Sequence, residues 1–142
     1  MKYWITVATL EHVNRGKGNG YLQIGHGKRV PLARMHQDDW VIFYSPKNSL
    51  SDKTPIEAFT AIGQVVDEEI SKVKVTPEFE PYRRKFKYLP FEHTPIKPLV
   101  EHLKFLPDKK NWQYTLRHGL IGISKADFIL IQDEINQIEN PE

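Results

Sequence analysis

Apolar and polar positions alternate in short runs over the first 90 residues and switch to a helical period near the C-terminal end. Lys2–Thr9 carries Tyr, Trp, Ile and Val and reads as a strand. Leu10–Asn14 predicts one helical turn before the glycines at 16, 18 and 20, and Tyr21–Ile24 predicts a short strand. Asp39–Ser45 is apolar almost throughout, the pattern of a strand buried on both faces. Ile56–Val66 predicts a long strand, with Gly63 inside it marking a bulge or a close backbone approach. Ser71–Val75 and Arg83–Tyr88 alternate in character and predict a pair, with Val73 and Val75 on one face and Phe86 and Tyr88 on another. Ile96–Leu103 follows two prolines and predicts a short helix. Ser124–Ile138 is the clearest helix: Ser124 caps it, Asp127 sits in the favourable first turn, and Phe128, Ile131, Ile135 and Ile138 share one face. Five or six strands followed by helices predict an α+β domain, and strands this short predict a sheet that curls into a small barrel.

Composition narrows the class. The chain has 142 residues, enough for one domain with its own core, and no linker divides it, so residues 1–142 read as a single domain. It has no cysteine, which excludes a disulfide scaffold, a thiol nucleophile and thiolate metal sites. No apolar run approaches the roughly 18 residues of a membrane span. The first residues read as a strand rather than a signal peptide, so a cytoplasmic address is the expectation. Net charge is only +2, but it is unevenly placed. Residues 1–37 carry six bases against Glu11 alone, whereas residues 101–142 carry five bases and seven acids. A basic end attracts phosphate.

Catalytic patterns are missing. The histidines at 12, 26, 36, 93, 102 and 118 form no metal-binding pair at usable spacing, so no metal and no cofactor is expected. The segments Gly16–Gly20 and Gly25–Lys28 fit neither the P-loop nor the dinucleotide fingerprint. Their turns would expose N–H groups beside Lys17, Lys28 and Arg29, where a phosphate could sit. No nucleophile elbow is present, and no catalytic residue is assigned. The positive signal is aromatic side chains interleaved with cations: Tyr21 before His26, Lys28 and Arg29, Tyr44 before Lys47, Tyr82 to Tyr88 among four cations, and Trp112 and Tyr114 before Arg117 and His118. A flat π face accepts a base and a nearby cation accepts phosphate.

The ordered set of these blocks resembles the EVE domain of the PUA-like superfamily, a relative of the YTH reader domain. The blocks are Lys2–Ala8, Gly20–Lys28 with Pro31–Met35, Asp38–Lys47, Arg83–Tyr88, Pro95–Leu103, Phe105, Trp112, Arg117 and Ser124–Ile131. Asp38 stands where that family usually has glycine. The resemblance implies a pseudo-barrel of five or six strands with peripheral helices, and a pocket for a flipped, modified base, most often a modified cytosine in DNA. It implies one pocket wall from Tyr21 and Leu22, where the reader family has a tryptophan. It implies another wall from Phe79 and Tyr82, and a floor or rim from Tyr44 and Ser45. In that reading Ser45, Gln23 or backbone groups read the base edge. His26, Lys28, Arg29, Lys47, Arg117 and His118 hold phosphates. An effector would be a separate protein. The alternatives are an RNA-binding adaptor without selectivity for modification, a nucleotide-processing enzyme using His26 or His118, and a protein-interaction domain.

Overall fold

A computed structural model describes residues 1–139 of the chain, with side-chain surroundings as far as Glu134. The strands are β1 (Tyr3–Val7), β2 (Tyr21–Leu22), β3 (Trp40–Lys47), β4 (Pro55–Val65), β5 (Ser71–Lys72), β6 (Tyr82–Leu89), β7 (Thr94–Pro95) and β8 (Leu120–Ile123). The helices are α1 (Leu10–Asn19), α2 (Arg29–Ala33) and α3 (Lys125–Glu139), with 3₁₀ turns at Lys97–His102 and Trp112–His118. Six strands form the main path β2-β6-β4-β3-β1-β8, while β5 pairs with β6 and β7 with β4. The β1–β3 pair is parallel and the other pairs are antiparallel, giving the expected mixed, curled half-barrel.

Both faces of the sheet are covered, which is why Trp40–Tyr44 of β3 is an unbroken apolar run. Alternation sends successive residues to opposite sides. Ile5, Ile42, Tyr44, Phe59 and Ile62 face the 3₁₀ turns and α3, packing on Leu103, Trp112, Leu116, Phe128 and Ile131. Trp4, Val41, Phe43, Val65 and Phe86 face α1 and α2, packing on Val13, Leu22, Leu32 and Met35. A bulge marks β4, where Phe43 pairs with Ala61 and Tyr44 with Phe59, leaving Thr60 as the extra residue. The Asp39 carboxylate clamps the starts of β1 and β3. It accepts from the Lys2 N–H at 2.8 Å, the His36 N–H at 2.9 Å and Trp4 Nε1 at 3.0 Å.

Three of the predicted elements take another form, and α2, β7, β8 and the Trp112–His118 turn were not foreseen. The turn expected before the glycine cluster is a ten-residue helix running through Gly16 and Gly18. It stops only at Gly20, whose φ of 67° and N–H bond to the Gly16 carbonyl form a left-handed cap. Gly16 is there for space: a Cβ would lie 2.5 Å from Tyr88 Oη and 2.9 Å from the Tyr21 carbonyl oxygen. The strand expected over Ser71–Val75 pairs only at Ser71 and Lys72, so Val73 and Val75 belong to a loop. The short helix expected over Ile96–Leu103 is a 3₁₀ turn.

The last helix forms as expected, with Ser124 Oγ accepting the Asp127 N–H at 3.1 Å. Asp127 does more than favour the helix start. It is buried, and its carboxylate accepts the N–H groups of Lys104 and Phe105 at 2.9 Å each, tying α3 to the preceding segment. Phe128 and Ile131 are buried as the helical period requires, while the side chains of Ile135 and Ile138 lie outside the described residues.

Candidate functional site

Strand β6 builds the site through its alternation. Its even residues point inward: Arg84 and Phe86 are buried, and Tyr82 and Tyr88 pack at the edge of that core. Its odd residues Arg83 and Lys85 point outward. On β2, Tyr21 pairs with Lys85 and Leu22 with Arg84, so Tyr21 joins the outward set. Arg83 is the diagonal neighbour of Tyr21, close enough for a long side chain to reach. Its guanidinium carbon lies 3.9 Å from the Tyr21 ring centroid.

A polar chain locks that stack. Arg83 Nε donates to Gln23 Oε1 at 2.9 Å, and Gln23 is itself buried. The Gln23 carbonyl accepts from His12 Nε2 at 3.0 Å, which places the His12 proton on that nitrogen. Burial pushes the His12 imidazole below its ordinary range. The bond to the Gln23 carbonyl pulls the other way, while the charges of Arg15, Arg83 and His26 add to the lowering. Tyr88 Oη donates to the Tyr21 carbonyl at 2.8 Å, fixing the strand beneath the ring. Burial, with Tyr21 nearby, raises the Tyr88 phenol well above its usual range, so it stays a donor.

Above this lies an open cleft of about 510 Å³. Arg15 and Asn19 of α1, Tyr21, Arg83 and Lys85, and Lys74 of the β5–β6 loop surround it. Val73 and Val75 supply an apolar wall. No carboxylate lines it; Lys85 lies 3.8 Å from Asp67, while Arg15, Lys74 and Arg83 form no ion pair among the described residues and can meet an anion. Such a cleft suits a planar, phosphate-bearing ligand.

The structure divides the residues singled out by sequence. Tyr21 lines this cleft and Gln23 orients Arg83 beneath it. Leu22 is fully buried in the core, so it offers no surface to a base. Phe79 is exposed and Tyr82 half-buried on the neighbouring loop and strand start. Tyr82 packs inward under the Lys72 ammonium, 5.8 Å from its ring, and Val73 and Val75 take the wall expected of this pair.

Tyr44 belongs to the opposite face of the sheet, where it is 2% exposed. Ser45 is fully buried and shares a 2.8 Å hydrogen bond with Thr60, so it cannot read a base edge. Arg117 sits with Tyr44 on a second cleft, and His118 is exposed beside it. Lys47 is half-buried at the end of β3.

The glycine turns are not open phosphate nests. The N–H groups of residues 17–19 fall inside α1, and those of Gly27 and Lys28 both donate to the Ile24 carbonyl, at 3.1 and 3.2 Å. Gly25, His26 and Gly27 all have positive φ, and Gly27 lies against Pro81 so closely that a Cβ would overlap it. The turn is thereby strapped to β6, where the Tyr82 N–H donates to the Gly27 carbonyl at 2.8 Å. His26, Lys28 and Arg29 remain exposed around it.

Sequence reasoning missed His12, Arg15, Lys74 and the Arg83–Tyr21 stack. The signal for Arg83 and Lys85 was their alternation with Arg84 and Phe86. The signal for His12 and Arg15 required knowing that α1 continues through Gly16.

Comparison with known proteins agrees with this architecture. The EVE domain model matches residues 2–134. A UPF0310 protein of Bacillus licheniformis is 44% identical over 128 residues, covering 90% of this chain and 87% of that one. A UPF0310 protein of Mycolicibacterium vanbaalenii is 42% identical over 132 residues, covering 93% and 91%. Among solved structures, the NMR structure of Rpa0253 from Rhodopseudomonas palustris superposes with a TM-score of 0.61 at 12% identity, covering 99% and 97%. The YTH domain-containing protein Mmi1, solved as a complex with RNA, superposes with a TM-score of 0.60 at 13% identity, covering 96% and 82%. The match extends from the first strand into the last helix and takes in every residue around the Tyr21–Arg83 cleft, and on that ground the chain belongs to the EVE domain family.

Proposed function

We propose that this protein is a nucleic-acid-binding module that holds a flipped, modified base, a modified cytosine in DNA foremost, in the Tyr21–Arg83 cleft. The observation that carries the reading is the Arg83 guanidinium held 3.9 Å over Tyr21 in a cleft with three further outward cations and no carboxylate. A guanidinium plane and a tyrosine ring both stack bases, at roughly 1–3 kcal/mol per base. That return offsets the few kcal/mol spent in taking a base out of its stack. Arg15, Lys74 and Lys85 then position phosphates without reading sequence. Membership of the EVE family and the fold shared with an RNA-bound YTH domain support the assignment to nucleic acid. A binding module of this kind acts through a separate effector protein.

Selectivity favours a polar modification. One extra buried methyl returns only about 0.8 kcal/mol, roughly fourfold in affinity. A polar group left unpaired costs roughly 1–3 kcal/mol, and the Gln23–Arg83 pair supplies partners for one. The test is fluorescence-polarisation binding at one salt concentration to DNA and RNA strands carrying plain, 5-methyl, 5-hydroxymethyl or N4-acetyl cytosine. We expect selective binding to a modified strand that is lost in Tyr21→Ala and Arg83→Ala. Equal binding to every strand overturns the modified-base reading and leaves the RNA-binding adaptor, which the outward row of Arg83, Lys85 and Lys87 on β6 favours.

A further inference from the structure

The β5–β6 loop carries an aromatic side chain that the Tyr21–Arg83 cleft does not use. Residues 74–80 are exposed at every position, so this arm stands clear of both cores. Val75 is 48% exposed and Phe79 38%. Single apolar residues on a surface are ordinary, but here two share the tip of one ordered arm.

The arm is a built hairpin. The Val73 N–H donates to the Pro81 carbonyl at 2.9 Å. Thr76 and Phe79 exchange both backbone bonds, each at 3.1 Å, around a turn whose second residue is Pro77, the position its fixed φ suits. The Val75 N–H also donates to the Phe79 carbonyl, at 3.0 Å, so two residues oppose one in a β-bulge. That pairing sets Phe79 across from Val75 and Thr76, one strand spacing away. Val75 in turn lines the cleft, so Phe79 stands beside its rim.

Charge decides what this tip can touch. The arm's four charges, Lys72, Lys74, Glu78 and Glu80, cancel, and Lys72 and Glu80 pair at 3.5 Å. Apart from Lys74 at the cleft, the arm has nothing to offer a phosphate, and its tip suits uncharged surface. A protein partner would need about 800 Å² on each side, far more than Val75, Pro77 and Phe79 present. The faces of bases fit better: they are planar, apolar and laid open in the gap that a departing base leaves.

We propose that the Phe79 tip is a wedge that enters a duplex at the position vacated by the base held in the Tyr21–Arg83 cleft. The inference rests on the nucleic-acid reading of that cleft and narrows its target to a duplex. A flipped base leaves its neighbours unstacked on one side, and the Phe79 ring restores a stacking surface to them. A single strand closes up behind the base, so the wedge adds nothing there.

The test is fluorescence-polarisation binding of the whole chain to two plain duplexes, one intact and one with a central abasic site, and to the matching single strand. The abasic duplex presents the gap without any base for the cleft. We expect the native chain to bind it about tenfold more tightly than the intact duplex. Phe79→Ala should abolish that preference and bind the single strand as the native chain does. Phe79→Trp should keep the preference, and its added indole should be quenched by the abasic duplex but not by the single strand. Both variants keep the fold, because Phe79 is exposed and only its backbone makes the hairpin bonds. Failure of the modified-base reading shows separately, as equal binding to modified and plain strands with the gap preference intact. Equal binding of the native chain to both duplexes, or a preference that survives in Phe79→Ala, overturns the wedge and leaves the tip to a protein partner. A loss of the same size on the single strand also overturns it, by moving Phe79 into the wall of the cleft.

Discussion

Arg83 and Arg84 are neighbours in sequence with opposite fates. The pleat turns Arg83 outward to Tyr21 and sends Arg84 into the core, where it is 2% exposed. Arg84 Nη1 donates to the Leu32 carbonyl at 2.9 Å and the Met35 carbonyl at 2.7 Å, and Nη2 donates to the Asp67 carbonyl. Glu68 lies 3.6 Å from the same guanidinium. The side chain thus ties α2 and the β4–β5 connection to β6. Arg84→Ala strands those carbonyls, and we expect a loss of about 3 kcal/mol, roughly 10 °C in Tm. Arg83→Ala leaves only the buried Gln23 Oε1 without its partner, so we expect a smaller loss of about 1 kcal/mol, roughly 3 °C in Tm, together with loss of selective base binding. Thermal melts of the two variants check the contrast, and equal Tm losses would contradict it.

His12 provides a pH signature at the same scale. Its folded pKa is lowered, first by burial, so the unfolded chain takes up a proton before the folded one. Its contribution to stability is therefore whole above the ordinary value of 6.5 and is lost as pH falls below that toward the lowered value. Acidification from about pH 7 to pH 5 should lower Tm. His12→Gln, whose amide can still donate to the Gln23 carbonyl, should flatten that window. A slope unchanged in the variant would assign the titration to another group.

At the scale of elements, legibility followed burial. Strand β3 and helix α3 were plain because their apolar patterns answer to a single requirement, packing on both faces or on one. Helix α1 was hidden because its glycines serve close approach to Tyr88 and the Tyr21 carbonyl, not a turn. The site was half legible for a related reason. Tyr21 stood out among cations, but its partner Arg83 is 62 positions away, and only the β2–β6 register brings them together. Asp38 shows the reverse case, a residue whose oddity in sequence the backbone explains. Its φ is 71°, the left-handed region that favours glycine. Asp38→Gly relieves that strain at the cost of a more flexible unfolded chain. We expect a net gain of up to about 1 kcal/mol, a rise of roughly 3 °C in Tm. A fall in Tm would show that the Asp38 side chain contributes more than the strain removes.

For the whole molecule, the question is how the charge is deployed. The basic first 37 residues supply α1 and β2, and β6 with its preceding loop brings Arg83, Lys85 and Lys74 against them. Two regions distant in sequence therefore build one positive face, although the net charge is only +2. Phosphate binding to such a face releases counterions. The logarithm of affinity should then fall with the logarithm of salt at about −0.7 per phosphate on a single strand. If Arg15, Lys74 and Lys85 each meet one phosphate, the slope should approach about −2. Lys74 is exposed and far from the buried polar chain, so Lys74→Gln should leave folding intact and make the slope shallower by about 0.7. It should weaken plain and modified strands by the same factor, because a phosphate contact carries no base information. Arg83→Ala, by contrast, should remove the preference between strands. Salt titrations of both variants on one modified and one plain strand measure the two effects together. A Lys74→Gln variant that lost selectivity but kept the native slope would move Lys74 from the phosphate track into the base pocket and displace Arg83 from the centre of the site.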